Sequence, residues 1–377
     1  MLLEILWMVF FASAAIQLIY LLFIFGRLAF FYDPSKSIES ADAMEEGVSI
    51  VIASRNELRN LKNLLPILVE QDYPRYEIII VNDRSTDGTQ SLLRKMMNIY
   101  PRLRTVTIQF TPPHVTGKKY ALTLGIKVAK YDIILLTDAD CLPVSRKWIQ
   151  LMTQPLRLEK KQIAIGHGAY DKHSGLLTRL IQYETLLTAT HYFSFALWKT
   201  PIMGVGRNLA YRRSFFMEKK AFKGLWNVNG GDDDLFVNQH ANRNNTSTVI
   251  HPEGLTLSQP KLTWKDFFIQ KRRHYHAGKY YKTGSKLKLG IYAFTHLAFW
   301  TMAVFLLSVS TEREPIAIII GLVVLRALIQ AVVLNAAKNK LEGTGGVYWM
   351  MFFDLPYLVY FWIVGTKGYL SKKIKWK

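Results

Sequence analysis

The apolar residues of this chain gather at its two ends, while its middle breaks into short hydrophobic runs separated by polar turns. Leu2 to Phe25 is nearly free of charge apart from Glu4. Gly290 to Ser310, Pro315 to Ala337 and Val347 to Gly365 are three further runs close to the roughly 20 residues that a helix needs to cross a bilayer. Ala12-Ser13-Ala14 looks like a signal-peptidase site. No basic residues precede the first run, however, and it continues well past that point, so a membrane anchor is expected rather than a cleaved leader. The last run is broken by Asp354 and Pro356, which favours a re-entrant or interfacial element over a crossing.

In the middle, Val48 to Ala53 is a short apolar run followed by a turn and by Leu58, Leu61, Leu64, Leu65 and Leu68 at helical spacing. The unit recurs. Glu77 to Val81 reads as a buried strand ahead of the turn Asn82 to Gly88, with a helix through Met97. Leu103 to Ile108 and Asp132 to Leu136 are further strands, the second preceded by a helix over Tyr120 to Ala129. Strands alternating with helices predict an α/β domain, a mostly parallel sheet flanked by helices. Such sheets bind ligands beyond the carboxyl ends of their strands. No G-x-G-x-x-G follows the first strand, which argues against a Rossmann dehydrogenase.

Charge sharpens this picture. Across 377 residues, 48 Lys+Arg against 28 Asp+Glu leave a formal charge of +20, yet half the residues are hydrophobic. Nucleic-acid-binding arms are charge-dense and poor in apolar residues, so the combination points to a membrane and away from nucleic acid. Arg27 and Lys36 follow the first run, and the basic stretch Lys261 to Lys288 leads into the second. The positive-inside rule therefore expects an integral protein of the cell membrane with the intervening region in the cytoplasm. Thr311 to Glu314 carries no cationic excess and fits the far side; Lys338 and Lys340 return to the cytoplasm. A re-entrant last run keeps the tail Lys367, Lys372, Lys373, Lys375 and Lys377 there too. The expected organisation is an anchor over 1–31, a cytoplasmic domain over 32–288 joined by the polar connection Asp33 to Glu46, and a membrane region with a basic tail over 289–377. Cys141 is the lone cysteine, which rules out an intramolecular disulfide. His114, His167, His191 and His251 show no metal-ligand spacing.

The acidic residues carry the candidate chemistry. Asp83 and Asp87 follow one predicted strand, where turn chemistry alone could account for them. Thr137-Asp138-Ala139-Asp140 follows another; two carboxylates at i and i+2 can hold a divalent cation, which in turn binds a diphosphate. Asp232-Asp233-Asp234 is a third cluster. Adjacent carboxylates repel one another unless solvated at a helix start, metal-bound or engaged in proton transfer.

In order and spacing these segments resemble membrane-associated family 2 glycosyltransferases of the GT-A fold, over roughly Val48 to Tyr280. SIVIASRNE (Ser49 to Glu57) is similar to the opening nucleotide-binding strand, which implies donor contacts from Ser54, Asn56 and Glu57. NDRSTDGT (Asn82 to Thr89) resembles the base-contacting element, GKKYAL (Gly117 to Leu122) the G-K-x-x-A-L segment, and TDADCLP (Thr137 to Pro143) the D-x-D. GRNLAYRR (Gly206 to Arg213) resembles the cleft-lining segment, and GGDDDLF (Gly230 to Phe236) stands where the base motif belongs. TWKDFFIQKRRH (Thr263 to His274) resembles the T-W and Q-x-x-R-W element of cellulose- and hyaluronan-synthase-like enzymes and ceramide glucosyltransferases.

The resemblance implies a nucleotide-diphospho-sugar donor and a Mg²⁺ or Mn²⁺ cofactor. It assigns Asp83 to the base, Asp87 to that turn or the ribose, Lys118 to the nucleotide, Asp138 to the ribose and donor sugar, and Asp140 to the metal. Asp232 would be the general base of an inverting transfer, with Asp233 a rival because Gly231 replaces the usual preceding acid. Gln270 and Arg273, three apart on a helix, would hold pyrophosphate and acceptor, beside His274. Trp264, Phe267, Phe268 and Tyr275 alternate with Lys265, Lys271, Arg272 and Lys279, the pattern of a helix lying in the headgroup layer. His274 stands where the related synthases have an indole, and a smaller polar ring is a poorer sugar platform. Few spans are also available to enclose a pore. Both features favour a single glycosyl addition to a membrane-borne, lipid acceptor over a processive polysaccharide synthase. A catalytically silent sugar-nucleotide binder is the other alternative.

Overall fold

The structure, a computed structural model, describes residues 1–30, 46–113 and 115–371. Most of the Asp33 to Glu46 connection, including Lys36, lies outside them, as do His114 and the tail from Lys372. Helix α1 (Leu2–Ile19) runs through a π-helical turn (Tyr20–Phe25) into α2 (Gly26–Ala29). A repeating unit follows: β1 (Val48–Ser54), α3 (Leu58–Val69), β2 (Tyr76–Asp83), α4 (Thr89–Ile99), β3 (Leu103–Ile108), α5 (Gly117–Val128) and β4 (Ile133–Leu136). After it come β5 (Cys141–Pro143), α6 (Trp148–Arg157), β6 (Ile163–Ile165), β7 (Gly168–Tyr170), the long α7 (Leu176–Leu197), β8 (Leu209–Arg212), α8 (Arg213–Glu218), α9 (Asp234–His240), β9 (Thr246–Thr248) and β10 (Thr256–Ser258).

The main sheet has the order β3-β2-β1-β4-β8-β6-β9, and only β8 runs against its neighbours. A small sheet, β5-β10-β7, stands beside it. The two-residue period of β1 explains its uninterrupted apolar run. Ile50 and Ile52 face a core with Leu61, Leu64, Leu65 and Leu68 of α3, whereas Val51 joins Ala121, Leu122 and Ile126 of α5 on the opposite face. That second core continues without a break through α7 into Phe25, Leu28, Val333, Leu334 and Tyr357, so the sheet and the apolar helices share one interior.

The C-terminal part comprises α10 (Trp264–Ala277), α11 (Thr283–Val309), α12 (Arg313–Glu342), a 3₁₀ segment (Tyr348–Phe353) and α13 (Asp354–Leu370). Leu2–Ala29, α11, α12 and Tyr348–Leu370 are long and apolar enough to cross a membrane. Exposed large apolar side chains such as Phe23, Phe294, Val304, Ile320, Leu328 and Ile363 lie on these helices, as a lipid-facing surface requires. Helix α11 starts at Thr283, within the stretch that the sequence assigns to the cytoplasmic domain. Its first turns carry Lys286 and Lys288, whose stems can run along apolar surface while their heads reach water.

A buried polar network ties the apolar helices together. Arg326 Nη1 donates to Asp354 Oδ2 at 2.6 Å, and Trp300 Nε1 donates to the same oxygen at 2.7 Å. His296 Nε2 lies 3.0 Å from that oxygen, and Tyr183 of α7 donates to Oδ1. Arg326 also donates to Gln17 and Gln330, and Gln330 donates to the Tyr183 hydroxyl. Asp354, the residue that breaks the last apolar run, is thus fully partnered. Asp354→Ala leaves Arg326 buried without its counter-ion and is expected to cost about 3–5 kcal/mol, the usual result of removing one half of a buried pair. A large drop in the thermal midpoint of the detergent-solubilised protein checks this; an unchanged midpoint would show that the pair contributes little.

Candidate functional site

Strands β2 and β3 lie on one side of β1 and β4 lies on the other. The crevice beyond their carboxyl ends is therefore a switch point, where open α/β sheets take up ligands. Register places Ser54 beside Asn82 at this edge. Three acidic loops converge there: Asp83 ends β2, Asp138 and Asp140 follow β4, and Asp232 to Asp234 lead into α9. They line one cavity of about 1250 Å³, together with Ser54, Asn56, Glu57, Lys118, Gln270, Arg273 and His274. The structure brings together every site residue expected from sequence except Asp87.

Asp87 turns away from the cavity. It accepts from the backbone N–H of Leu58 and from the N–H and hydroxyl of Thr89, joining the starts of α3 and α4. Burial raises its carboxyl, but these hydrogen bonds outweigh that and hold it below the usual range. Of the two roles considered for Asp87, support of the turn is the one the geometry displays. Asn82, standing where the related pattern has an acid, also serves the turn, bonding Gln90 and the N–H of Ser85.

Lys118 is the electrostatic centre of the cleft. Its ammonium sits 2.8 Å from Asp138 Oδ1 and 3.0 Å from Asp232 Oδ2, bridging two of the acidic loops. Burial works against its charge, but Asp138, Asp232 and Asp233 outweigh it and hold its pKa well above the ordinary value. The same pairing separates the three neighbouring acids. Burial raises Asp232, yet Lys118 and then Lys119 more than compensate, so it is held below the usual carboxylate range. Asp233 is raised by burial and by the charge on Asp232, and accepts from the Gly206 N–H. Asp234 is raised to about 8 by burial and then by Asp233, and accepts from the Tyr281 hydroxyl at 2.9 Å. Adjacent carboxylates cannot all ionise in an enclosed site. Here Asp232 is the one kept charged and turned toward Lys118.

The cleft also fits a cation and a ligand. Asp138, Asp140 and Cys141 form a group whose ligand atoms lie within 4.8 Å of one another among the described residues. The Cys141 thiol is pushed well up by burial and then by Asp140 and Asp138, and it pairs with Ser258 at 3.0 Å, so it offers no thiolate. The two aspartates remain as hard oxygen donors, suited to Mg²⁺ or Mn²⁺. Glu57 is raised by burial and, despite Asn60, by the charges of Asp140 and Asp138, which shows how much negative charge collects here. Ser54 Oγ is buried and has no hydrogen-bond partner among the described residues. On the opposite wall, enclosure and then Lys271 and Arg273 hold His274 well below the usual imidazole range, so its ring is neutral.

Gly117 fits closely against this site. A Cβ there would lie 2.6 Å from Asp83 Oδ2. Gly117→Ala is therefore expected to displace the Asp83 carboxylate and weaken nucleoside diphosphate binding about tenfold, equivalent to about 1.4 kcal/mol. Calorimetric titration checks it; unchanged affinity would remove Asp83 from the binding wall.

Several residues in or behind the cleft carried no clear signal in the sequence. Buried Lys119 donates to the carbonyl oxygens of Val228 and Gly230, fastening the loop that carries Asp232, and its only signal was adjacency to Lys118. Arg207 stacks on Tyr170 at 4.4 Å inside the GRNLAYRR segment. Glu184 pairs with Lys271 at 2.7 Å and accepts from Tyr275 and Tyr360, fixing α10 against α7 and α13. A lone acid in the apolar run of α7 gave no pattern to recognise.

A mostly parallel sheet thus carries a D-x-D loop after its fourth strand, facing an aspartate before a short helix across one cleft. Residues 49–218 match the family described as glycosyl transferase family 2. YdaM of Bacillus subtilis, a glycosyltransferase by its description, is 28% identical over 242 residues, covering 62% of this chain and 55% of the relative. A poly-beta-1,6-N-acetyl-D-glucosamine synthase of Staphylococcus aureus is 34% identical over 145 residues, 38% of this chain and 34% of the relative. The chain thus spans about half the length of the first and a third of the second. Among solved structures, the mannosyltransferase PcManGT from Pyrobaculum calidifontis, in complex with GDP-Man and Mn2+, superposes with a TM-score of 0.56 at 20% identity, covering 90% of this chain and 99% of that one. That likeness is one of fold.

Proposed function

We propose that the protein transfers a single glycosyl unit, with inversion, from a nucleotide-diphospho-sugar to the hydroxyl of a membrane-borne lipid acceptor. The carrying observation is that one cavity joins the acidic cleft to residues of α11 and α13. A polar donor and an apolar acceptor can then meet at Asp232.

In this reading Asp83, Ser54, Asn56 and Glu57 hold the nucleoside, Asp138 the ribose and donor sugar, and Gln270 and Arg273 the pyrophosphate and acceptor. Asp140, with Asp138 beside it, would hold Mg²⁺ or Mn²⁺, which neutralises a diphosphate leaving group when bound. Asp232 takes the proton of the acceptor hydroxyl as that oxygen attacks the anomeric carbon. Asp232 lines the cleft beside Lys118, whereas Asp233 is held by the Gly206 N–H, which supports Asp232 over Asp233. The neutral His274 ring can donate or accept one hydrogen bond beside the acceptor. The cationic residues Arg27, Lys286, Lys338 and Lys340 lie near the ends of α2, α11 and α12, which supports a cytoplasmic catalytic domain.

A polymer synthase is the second reading, favoured by the name of the Staphylococcus aureus relative. Nucleotide sugars screened against membrane lipid extracts with Mg²⁺ or Mn²⁺, with products weighed by mass spectrometry, distinguish the two. A lipid heavier by one sugar supports the proposal; a ladder of oligosaccharides overturns it.

A further inference from the structure

The last apolar segment is located at three points. It leaves α12 against the catalytic domain, where Glu342 meets His167 at 3.4 Å and Gly343 abuts Pro252. At Asp354 it meets His296, Trp300 and Arg326. It then returns along α10. Lys279 donates to the Ser371 carbonyl at 2.7 Å and Arg272 to the Ser371 hydroxyl at 3.0 Å. A Cβ on Gly368 would lie 2.8 Å from Tyr275 Cβ and 3.0 Å from the Arg272 carbonyl oxygen, so α13 and α10 touch through backbone here.

Helix rise converts these contacts into depth. At 1.5 Å per residue, His296 lies about 20 Å along α11 from Thr283, and Arg326 about 24 Å along α12 from Glu342. Helix α13 is about 25 Å long by the same measure. The segment therefore descends to the level of His296 and comes back to the side it left. A crossing would have carried Ser371 to the far ends of α11 and α12, near Thr311.

This path leaves an opening. The cavity that begins at the acidic cleft continues past His274 between α11 and α13, lined by Ala293 and Phe294 on one wall and Leu358, Phe361, Trp362 and Thr366 on the other. The Trp362 Nε1 atom is buried there with no hydrogen-bond partner among the described residues. We propose that residues 343–371 are re-entrant, and that the space between α11 and α13 holds the apolar chain of the acceptor, drawn from the leaflet adjoining the catalytic domain. This rests on the lipid-acceptor reading for its occupant. An apolar chain suits walls of Ala, Phe and Leu, and the indole N–H meets a polar atom near the chain's head. Because α13 turns back at Asp354, the site is closed to the other leaflet.

The test uses the full chain in phosphatidylethanolamine and phosphatidylglycerol vesicles. A hexadecanol probe carrying a mid-chain diazirine is photolysed, and labelled residues are read by mass spectrometry. Label at Ala293, Leu358 and Phe361 is expected to exceed that at outward-facing Val304 and Leu328 at least fivefold. Ala293→Trp and, independently, Thr366→Trp should abolish this excess while nucleoside diphosphate binding persists, which shows that the variants fold. Even labelling of groove and outer faces, or an excess that survives both substitutions, overturns the site. Groove labelling by a protein that transfers sugar to no lipid would keep the site and sink the lipid-acceptor reading instead. Single cysteines at Lys62, Ser371 and Thr311, with buried Cys141 left in place, are tested with an impermeant maleimide. Lys62 and Ser371 should react from one face and Thr311 from the other; Ser371 reacting with Thr311 overturns the re-entrant path.

Discussion

Asp232→Asn is expected to lower kcat for glycosyl transfer by about a hundredfold to ten-thousandfold, the range that a positioned general base contributes. The amide keeps the shape of the side chain but cannot take the acceptor's proton. Donor affinity should change little, because Lys118 retains Asp138 as a partner at 2.8 Å. Pre-steady-state kinetics with a titrated nucleotide sugar measure both quantities. Substantial turnover by the variant would move the base to Asp233. That residue is bound to the Gly206 N–H and raised rather than lowered in pKa, so Asp233→Asn should have the smaller effect on kcat.

Lys118→Met should move the acidic limb of the pH–rate profile upward. In the native cleft the Lys118 ammonium, 3.0 Å from Asp232, is the largest of the influences that hold this carboxyl down against burial. An opposite charge at such distance favours the ionised carboxylate. With the cation gone, burial dominates and Asp232 protonates at higher pH. Activity that needs the ionised form is then lost at a pH where the native enzyme still works. Donor binding weakens as well, because Asp138 loses its counter-ion. A variant whose acidic limb stays in place would show that Asp232 does not titrate in the catalytic step.

The α/β domain was legible because its central strands are short and largely apolar and its helices carry leucines at 3.6-residue spacing, both consequences of a sheet covered on two faces. Asp83, Asp138 and Asp140 were legible for a related reason. Each stands at the end of such a strand or just after it, and strand ends in an open sheet are where ligands reach. The ion pairs of Lys118, by contrast, join the start of α5 to two separate loops. Nothing in local spacing relates Lys118 to Asp232, and a surface lysine would have read the same. The pairing of Glu184 with Lys271 was silent for the same reason, since each charge taken alone looks like a solvated side chain.

Asp354 shows the division most clearly. By itself the sequence determined that an acid and a proline interrupt the last apolar run, and that such a charge needs a partner if it is buried. It could not name that partner, because Arg326, His296, Trp300 and Tyr183 come from three other helices. Patterns of hydrophobicity and motif spacing are local properties, set by backbone geometry within an element, and they determined the elements, the fold class and the acidic loops. Which charges neutralise one another, which of three aspartates stays ionised, and how the acidic cleft joins the gap between α11 and α13 depend on distances across the fold. Electrostatic and packing energies fall off over a few ångströms in space, whatever the separation along the chain, so only the tertiary structure decided them.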